Sequence, residues 1–438
     1  MRLTLVRPRY NGLVVTPPMG IGYLSGYLKR HGHECHIVDA QRDNLTLAQT
    51  VAEILALKPD AVGVTCLTAF YGETVALCQA LKKQTRIPYD VPVLVGGVHP
   101  TALPEDTLTD TGADHVFVGE AEAEILKFAN GERLGQIVPC GPIQNLDDIG
   151  WADWEGLGKY PYAPWGAVAR HSNRGYLMTT RGCPYSCTFC AAPMFTERHL
   201  RFRSIPDVVD ELQYLITRGG IAEFVIVDDN FTARRSHTQS FCEEILRRGI
   251  KMDWACENGI RADRVDQELL RLMHRAGCYR VAFGVESANP DILRRCKKQE
   301  TIGDITKAIG WAKDTGMEVR GCFIVGLPGE TEQTLKETYD WARASRLDQA
   351  AFTILSVLPG SGLYDTLKGK YIPNWADPSF KTVEFVPEGL TKKQLTQWQG
   401  KMLRGFYASP RRALRLVSQI KPQQLRSLWQ RVREFHVV

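Results

Sequence analysis

Two successive α/β units of parallel strands, the second a partial (β/α)6 barrel, followed by a small helical unit, are what the 438 residues encode. Three features carry this expectation. Over the first 130 residues β-branched runs alternate with amphipathic stretches, the pattern of βαβ units. Residues 131–175 are rich in Gly, Pro and Trp (Trp151, Trp154, Trp165) without clear periodicity, so they read as a structured connector. A second alternating series of six strand and helix patterns then starts at Tyr176, and from Lys368 the pattern turns helical and basic. The implied divisions are 1–135, 136–175, 176–366 and 367–438.

In the first unit, strands are expected at Leu3 to Val6, Glu34 to Val38, Ala61 to Thr65, Val91 to Val95 and His115 to Val118, a five-stranded open sheet. Helices fall between them, at Ile21 to His31, Leu45 to Leu57 and Tyr71 to Thr85, with Glu120 to Asn130 after the last strand. In the second, the strands are Tyr176 to Thr180, Phe224 to Asp228, Met252 to Glu257, Arg280 to Glu286, Glu318 to Val325 and Ala351 to Val357. Chemistry is expected at the C-terminal strand ends of such a barrel.

Composition fits a soluble globular chain, with 44% hydrophobic and 24% charged residues. No uncharged stretch reaches the roughly 20 apolar residues of a membrane span, and Leu3-Thr4-Leu5-Val6 is too short for a signal-peptide core. A cytoplasmic protein is expected. The net charge of +5 is uneven, because Lys401 to Val438 holds nine Lys or Arg against Glu434 alone. Leu403, Phe406, Leu414, Val417, Ile420, Leu425, Leu428 and Trp429 interleave with those basic residues, so helices with an apolar and a basic face are expected. They either dock on the barrel with their charges in water or meet an anionic lipid surface. No nucleic-acid module is evident, and no nucleic-acid partner is expected.

Of twelve cysteines, nine are scattered singly, as small buried side chains usually are. The other three, Cys183, Cys187 and Cys190, form a CxxxCxxC triplet on a loop after the first barrel strand. Three thiolates so close, without a fourth at matching spacing, suit a [4Fe-4S] cluster with one iron open to a further ligand. Zinc is the alternative, but its sites usually pair two CxxC units or add spaced histidines, and only His199 lies near.

The triplet, with aromatic Phe189 just before its last cysteine, resembles the signature of the radical SAM superfamily. The resemblance implies that the open iron binds the amino and carboxylate groups of S-adenosylmethionine (SAM). One electron, from a reductant such as flavodoxin or ferredoxin, then yields a 5′-deoxyadenosyl radical. It assigns polar groups near the methionine amino group to Asp228, Asp229 and Asn230. Ribose and carboxylate contacts go to Glu257, Arg261, Glu286 and Ser287, and the adenine-side turn to Gly326 in Gly326-Leu327-Pro328-Gly329-Glu330. Singly, each acid also suits a helix cap.

The loops of the first unit carry Pro17-Pro18-Met19-Gly20, Thr65-Cys66-Leu67-Thr68, Gly96-Gly97-Val98-His99-Pro100-Thr101 and Gly119-Glu120-Ala121-Glu122. Gly20, Gly22 and Gly26 with Asp39 superficially suggest a dinucleotide fingerprint, at the wrong spacing. Joined to the barrel motif, these loops resemble the Rossmann-like, flavodoxin-type cobalamin-binding domain fused to many radical SAM proteins. The resemblance runs from about Arg2 to Asp365 and assigns corrin contacts to Pro18, Gly20, Thr65, Thr68, Gly96, Gly97, His99, Gly119 and Glu120. His33 is a further candidate. A DxHxxG pattern is absent, so the cobalamin is expected base-off with no protein histidine on cobalt. An apo domain that has lost the cofactor would keep the same sheet and turns.

The implied activity is radical methylation of an unactivated carbon in a small or lipidic metabolite. The resemblance equally covers the anaerobic oxidative cyclase group, which acts on a tetrapyrrole. A non-catalytic cobalamin- or metal-binding regulator is the alternative of another class. No catalytic side chain is assigned.

Overall fold

The computed structural model describes residues 1–10, 16–83, 91–158, 169–171, 173–371 and 383–419. Trp165 and the tail residues Ile420, Leu425, Leu428 and Trp429 lie outside the described residues.

The first sheet consists of β1 (Arg2–Arg7), β2 (Glu34–Asp39), β3 (Ala61–Thr65), β4 (Val93–Gly96), β5 (His115–Gly119) and β6 (Ile137–Cys140). Their order is β2-β1-β3-β4-β5-β6, and all pairs are parallel. The order reverses between β1 and β3, which is where an open α/β sheet binds ligands beyond its C-terminal strand ends. The five-stranded expectation is corrected by β6. It pairs with β5 from Val116 to Gly119, and its four residues include Pro139, a composition that suits only an edge. Leu3, Leu5, Val62, Val64, Val93, Val95 and Val116 are buried, the near-continuous apolar runs of a sheet covered on both faces.

Glycines in the helix Met19–Arg30 serve packing. A Cβ on Gly26 would sit 2.2 Å from the Trp151 carbonyl, and one on Gly22 would sit 2.7 Å from Leu157. They let the connector lie directly on this helix, where Asp153 accepts from Ser25 Oγ at 2.6 Å and pairs with Lys29 at 2.7 Å. That accounts for the glycines without a dinucleotide.

The second sheet is built from β7 (Arg174–Leu177), β10 (Glu223–Ile226), β11 (Asp253–Ile260), β12 (Cys278–Glu286), β13 (Glu318–Val325) and β14 (Gln349–Ile354). These six parallel strands follow one another in chain order, with β7 and β14 at the open edges, which is a partial barrel. Between β7 and β10 lies a short antiparallel ribbon of β8 (Thr180–Arg181) and β9 (Arg201–Phe202). Under the outer helices, Phe224 stacks on Trp254 at 5.6 Å, and Phe231 and Phe241 meet that indole edge-on.

The helix Lys392–Tyr407 buries Leu395, Trp398, Met402 and Phe406 in the barrel's own core, an i, i+3, i+7 stripe. Its partner Pro410–Gln419 leaves Leu414 and Val417 exposed. No described helix is long and apolar enough to cross a membrane.

Candidate active site

The cysteine loop leaves β8 through Gly182, whose φ is +103° and whose Cβ would lie 2.1 Å from the His199 carbonyl, so only glycine fits. Both flanks of the loop are pinned through Thr188. Its N–H donates to the Cys296 carbonyl at 3.0 Å, and its carbonyl accepts from Leu363 N–H at 2.8 Å. Cys183, Cys187 and Cys190 are free thiols, each partly exposed. Burial raises all three thiol pKa values, Cys190 to about 11, and Lys298 counteracts it at Cys187. Among the described residues no three Cys, His, Asp or Glu side chains converge where one metal ion would sit. A multi-iron cluster, whose thiolates each bind a separate iron, suits this donor set better than mononuclear zinc does.

Strand ends surround the loop. Asp228 is fully engaged: Thr179 N–H and Oγ1 donate to it at 2.7 and 2.5 Å, and Thr180 Oγ1 at 2.9 Å. Burial still pushes its carboxyl up to about 6. It is a brace between β10 and β8. Asp229 accepts from the Gly182 N–H at 3.2 Å, and buried Asn230 lowers the Cys183 thiol pKa against the effect of burial, so both face the cysteine loop. Phe189 packs with Leu327, Leu355 and Val357, which places the aromatic against the turns after β13 and β14.

Two expectations shift. The third barrel strand, expected to end at Glu257, continues as β11 to Ile260, and the Glu257 carboxylate is held inside the barrel by Arg174 at 2.9 Å and Arg280 at 3.0 Å. Asn258 and Gly259, beyond the expected strand end, are part of the strand. Ser287 points outward, with Oγ 3.1 Å from Thr338 Oγ1 of the helix Glu332–Ala344. Its hydroxyl tethers that helix.

Arg261 donates to Asp263, Lys298 O and Gln299 O between 2.7 and 3.1 Å, and its guanidinium lies 3.7 Å above the Tyr185 ring. Arg264 donates to the Tyr185 hydroxyl at 2.6 Å. The two arginines thus hold the aromatic inside the CxxxC half of the loop. The cation that sequence reading missed is Lys298, buried 3.1 Å from Glu286 Oε1 and 3.3 Å from Glu300 Oε2. Glu286 closes β12 at φ +61°, a conformation rare for a side chain this size. Gly326 has φ +98°, and the Gly326 and Leu327 N–H groups donate to Glu330 at 2.6 and 3.0 Å. Burial raises the Glu330 carboxyl to about 7.

Four loops of the first sheet are tied together at their C-terminal edge. Tyr10 packs on Phe70 at 4.9 Å, and His99 Nδ1 lies 3.2 Å from Thr68 Oγ1. Thr101 Oγ1 donates to the Gly97 carbonyl and accepts from Gly119 N–H. His99 is buried and stacked on Tyr71 at 4.0 Å, and burial lowers its pKa to about 4. Gly97 and Gly119 have φ +125° and +108°, and a Cβ there would strike the Cys66 and Cys140 carbonyls, so these two glycines shape the turns. Pro18, Gly20, Thr65, Thr68 and Gly96 lie along the same edge, with Leu67 exposed among them. His33, beside Asn130 and the N-terminus, lies at the opposite edge of the sheet and drops out as a corrin contact.

The two edges meet. Gly360 and Met194 of the barrel abut Ala102 of the helix Val98–Ala102. Glu120 pairs with Arg181 at 3.2 Å and with Arg201, and Glu122 pairs with Arg181 at 2.7 Å. Glu120 is therefore occupied by guanidinium groups of the ribbon that leads into the cysteine loop.

Comparison with known proteins agrees with both halves. Residues 12–128 match the B12 binding domain and residues 177–342 the radical SAM superfamily. Over 429 residues the chain is 30% identical to the anaerobic magnesium-protoporphyrin IX monomethyl ester cyclase of Rubrivivax gelatinosus, covering 90% of this chain and 75% of that one. It is 28% identical to an uncharacterized methyltransferase of Pyrococcus horikoshii, with 90% and 88% covered. The fold matches that of the radical S-adenosylmethionine methyltransferase TsrM from Kitasatospora setae, solved with cobalamin and a [4Fe-4S] cluster. That match has a TM-score of 0.69 at 19% identity and covers 84% of this chain and 75% of TsrM. The chain belongs to the cobalamin-binding radical SAM superfamily, as an enzyme of its methyltransferase and cyclase group.

Proposed function

We propose that this enzyme transfers a methyl group to an unactivated carbon of a small or lipidic metabolite. The observation that carries the reading is the junction of the two edges, where Glu120 and Glu122 grip Arg181 two residues before Cys183. It sets the loops suited to a corrin against those suited to a cluster. When bound, the cluster and SAM supply a 5′-deoxyadenosyl radical, and cobalamin supplies a transferable methyl group.

Cys183, Cys187 and Cys190 would hold the cluster. The cations set toward a SAM carboxylate are the Lys298 ammonium, beside Cys187 and held by Glu286 and Glu300, and Arg261, held by Asp263 and two carbonyls. Asp229 and Asn230 face the amino end, and Phe189 with Leu327 offers the adenine an apolar shelf next to the Gly326 turn. Asp228, Glu257 and Ser287 brace the barrel around them. Thr65, Thr68, Gly96 and Gly20 with exposed Leu67 fit the polar rim and apolar face of a corrin. Burial of His99 favours a base-off cobalamin without a protein histidine on cobalt. Work divides among 1–135, 176–366 and 367–438, with 136–175 as the joint. A flavodoxin or ferredoxin serves as the external electron donor, in the cytoplasm. The exposed Leu414 and Val417 among arginines suit contact with an anionic membrane.

Oxidative ring closure is the second reading, favoured by the 30% identity to the cyclase. Anaerobically reconstituted enzyme, given SAM labelled in its methyl group and an extract, separates the two by mass spectrometry. A labelled-methyl acceptor formed alongside 5′-deoxyadenosine is expected. An unlabelled, ring-closed product would replace methylation by cyclisation.

A further inference from the structure

On the barrel's opposite face, ahead of β14, the end of the helix Glu332–Ala344 and the start of the helix Pro410–Gln419 enclose a cavity of about 640 Å³. Five arginines line it, Arg343, Arg346, Arg411, Arg412 and Arg415, against two acids, Asp340 and Asp348. Arg346 pairs with Asp314 at 2.8 Å and Arg415 lies 3.7 Å from Glu318, and both acids of the lining are paired as well. Asp348 pairs with Lys313 at 2.6 Å and with Arg415, and Asp340 pairs with Lys336 at 2.5 Å. Among the described residues, no carboxylate lies within ion-pair distance of Arg343, Arg411 or Arg412.

Arg412 shows that this surplus is built in. Its guanidinium lies 4.0 Å over the Phe406 ring, and it donates to Leu347 O at 3.2 Å, Arg343 O at 3.0 Å and Ser345 O at 2.8 Å. The charge is fixed by carbonyls and an aromatic face rather than by an ion pair. Burial holds its pKa below the usual arginine value, Tyr407 and Asp348 oppose that, and neighbouring Arg343 and Arg411 add to it.

We infer that this cavity is a binding site for a multiply charged anion of phosphate type, separate from the chemistry at the cysteine loop. Guanidinium forks match phosphate oxygens two at a time, and the forks of Arg343 and Arg411, beside the fixed charge of Arg412, favour a dianion or larger over chloride. The start of the helix Pro410–Gln419 adds its positive dipole end to the same wall. The phosphate belongs either to a soluble phosphoester or to a lipid headgroup, which the neighbouring exposed Leu414 and Val417 would accompany into a bilayer.

The test uses the full-length reconstituted enzyme with two probes: inorganic pyrophosphate by titration calorimetry, and flotation with phosphatidylcholine vesicles with or without phosphatidylglycerol. The variant is Arg343→Gln with Arg411→Gln, both exposed positions, and Arg294→Gln on another surface is the control. Expected is pyrophosphate binding that weakens with salt, weakens at least tenfold in the double variant and is unchanged in the control. Formation of 5′-deoxyadenosine stays constant in all three. Flotation with phosphatidylglycerol alone, lost in the double variant, assigns the phosphate to a lipid. Binding of neither probe, or equal binding by wild type and double variant, overturns the inference.

Discussion

Glu122 Oε1 lies 2.7 Å from Arg181 Nη2, joining the turn after β5 to the ribbon that opens the cysteine loop. Both side chains are largely buried, and Glu120 extends the contact to Arg201. Removing one partner of such a buried set leaves an uncompensated charge. Glu120→Gln should therefore lower stability by roughly 3 kcal/mol, whereas a far smaller loss would follow from an exposed pair. Urea unfolding reads this. A double-mutant cycle with Arg201→Met should show coupling of about 1–3 kcal/mol, and strict additivity would remove the seam from the stability account.

Gly182→Ala adds a methyl group where a Cβ meets the His199 carbonyl at 2.1 Å. The loop must move, and Cys183 with it. Iron content of the reconstituted protein should fall from about four per chain to below about one, with the far-ultraviolet dichroism of the two sheets intact. Full iron occupancy would show that the loop tolerates the shift.

Lys298→Met leaves Glu286 and Glu300 buried without their ammonium partner, a change worth about 3–5 kcal/mol of stability. KM for SAM should rise at least about tenfold in the fraction that folds, as expected for loss of a charged hydrogen bond. Lys298→Arg should recover most of both. An unchanged KM in Lys298→Met would leave the lysine a purely structural role.

The Glu330 carboxyl titrates near 7 in the fold, against an ordinary value of 4.5, because burial penalises its charge. Between those values the folded chain holds a proton that the unfolded chain has released. Stability from this group is therefore full below about pH 4.5, declines as pH rises towards 7, and is level above. Relative to Glu330→Gln, the wild type should lose on the order of 3 kcal/mol across that window. Chemical denaturation at several pH values checks it, and parallel curves for the two proteins would contradict it. Asp228 titrates in an overlapping range, so the comparison with the variant isolates Glu330.

What the sequence makes legible is what is local. Strand and helix alternation placed both sheets, and the 183–190 spacing placed the thiols, because each depends on neighbours a few residues apart. β6 escaped because Ile137-Val138-Pro139-Cys140 carries a proline and gains its strand character only from pairing with β5. The third barrel strand was cut short at Glu257 because Asn258-Gly259 breaks the β-branched pattern, yet β11 runs on to Ile260. Lys298 sits in Cys296-Lys297-Lys298-Gln299-Glu300, indistinguishable in print from a solvated charge run, and only the packing around Glu286 buries it. Partnerships such as Glu122 with Arg181, 59 positions apart, leave no local trace.

Arg203, fully buried, reaches Glu211 at 2.5 Å, Asp207 at 2.5 Å and the Met178 carbonyl at 2.9 Å beside Tyr23 of the first unit. Trp151 and Trp154 of the connector donate to the same Asp207 and Glu211. A rivet of this kind makes separating the two halves costly, since any opening would strand several charges at once. The edge of the first sheet and the thiol loop are thereby kept in one register by groups that neither half could bury alone.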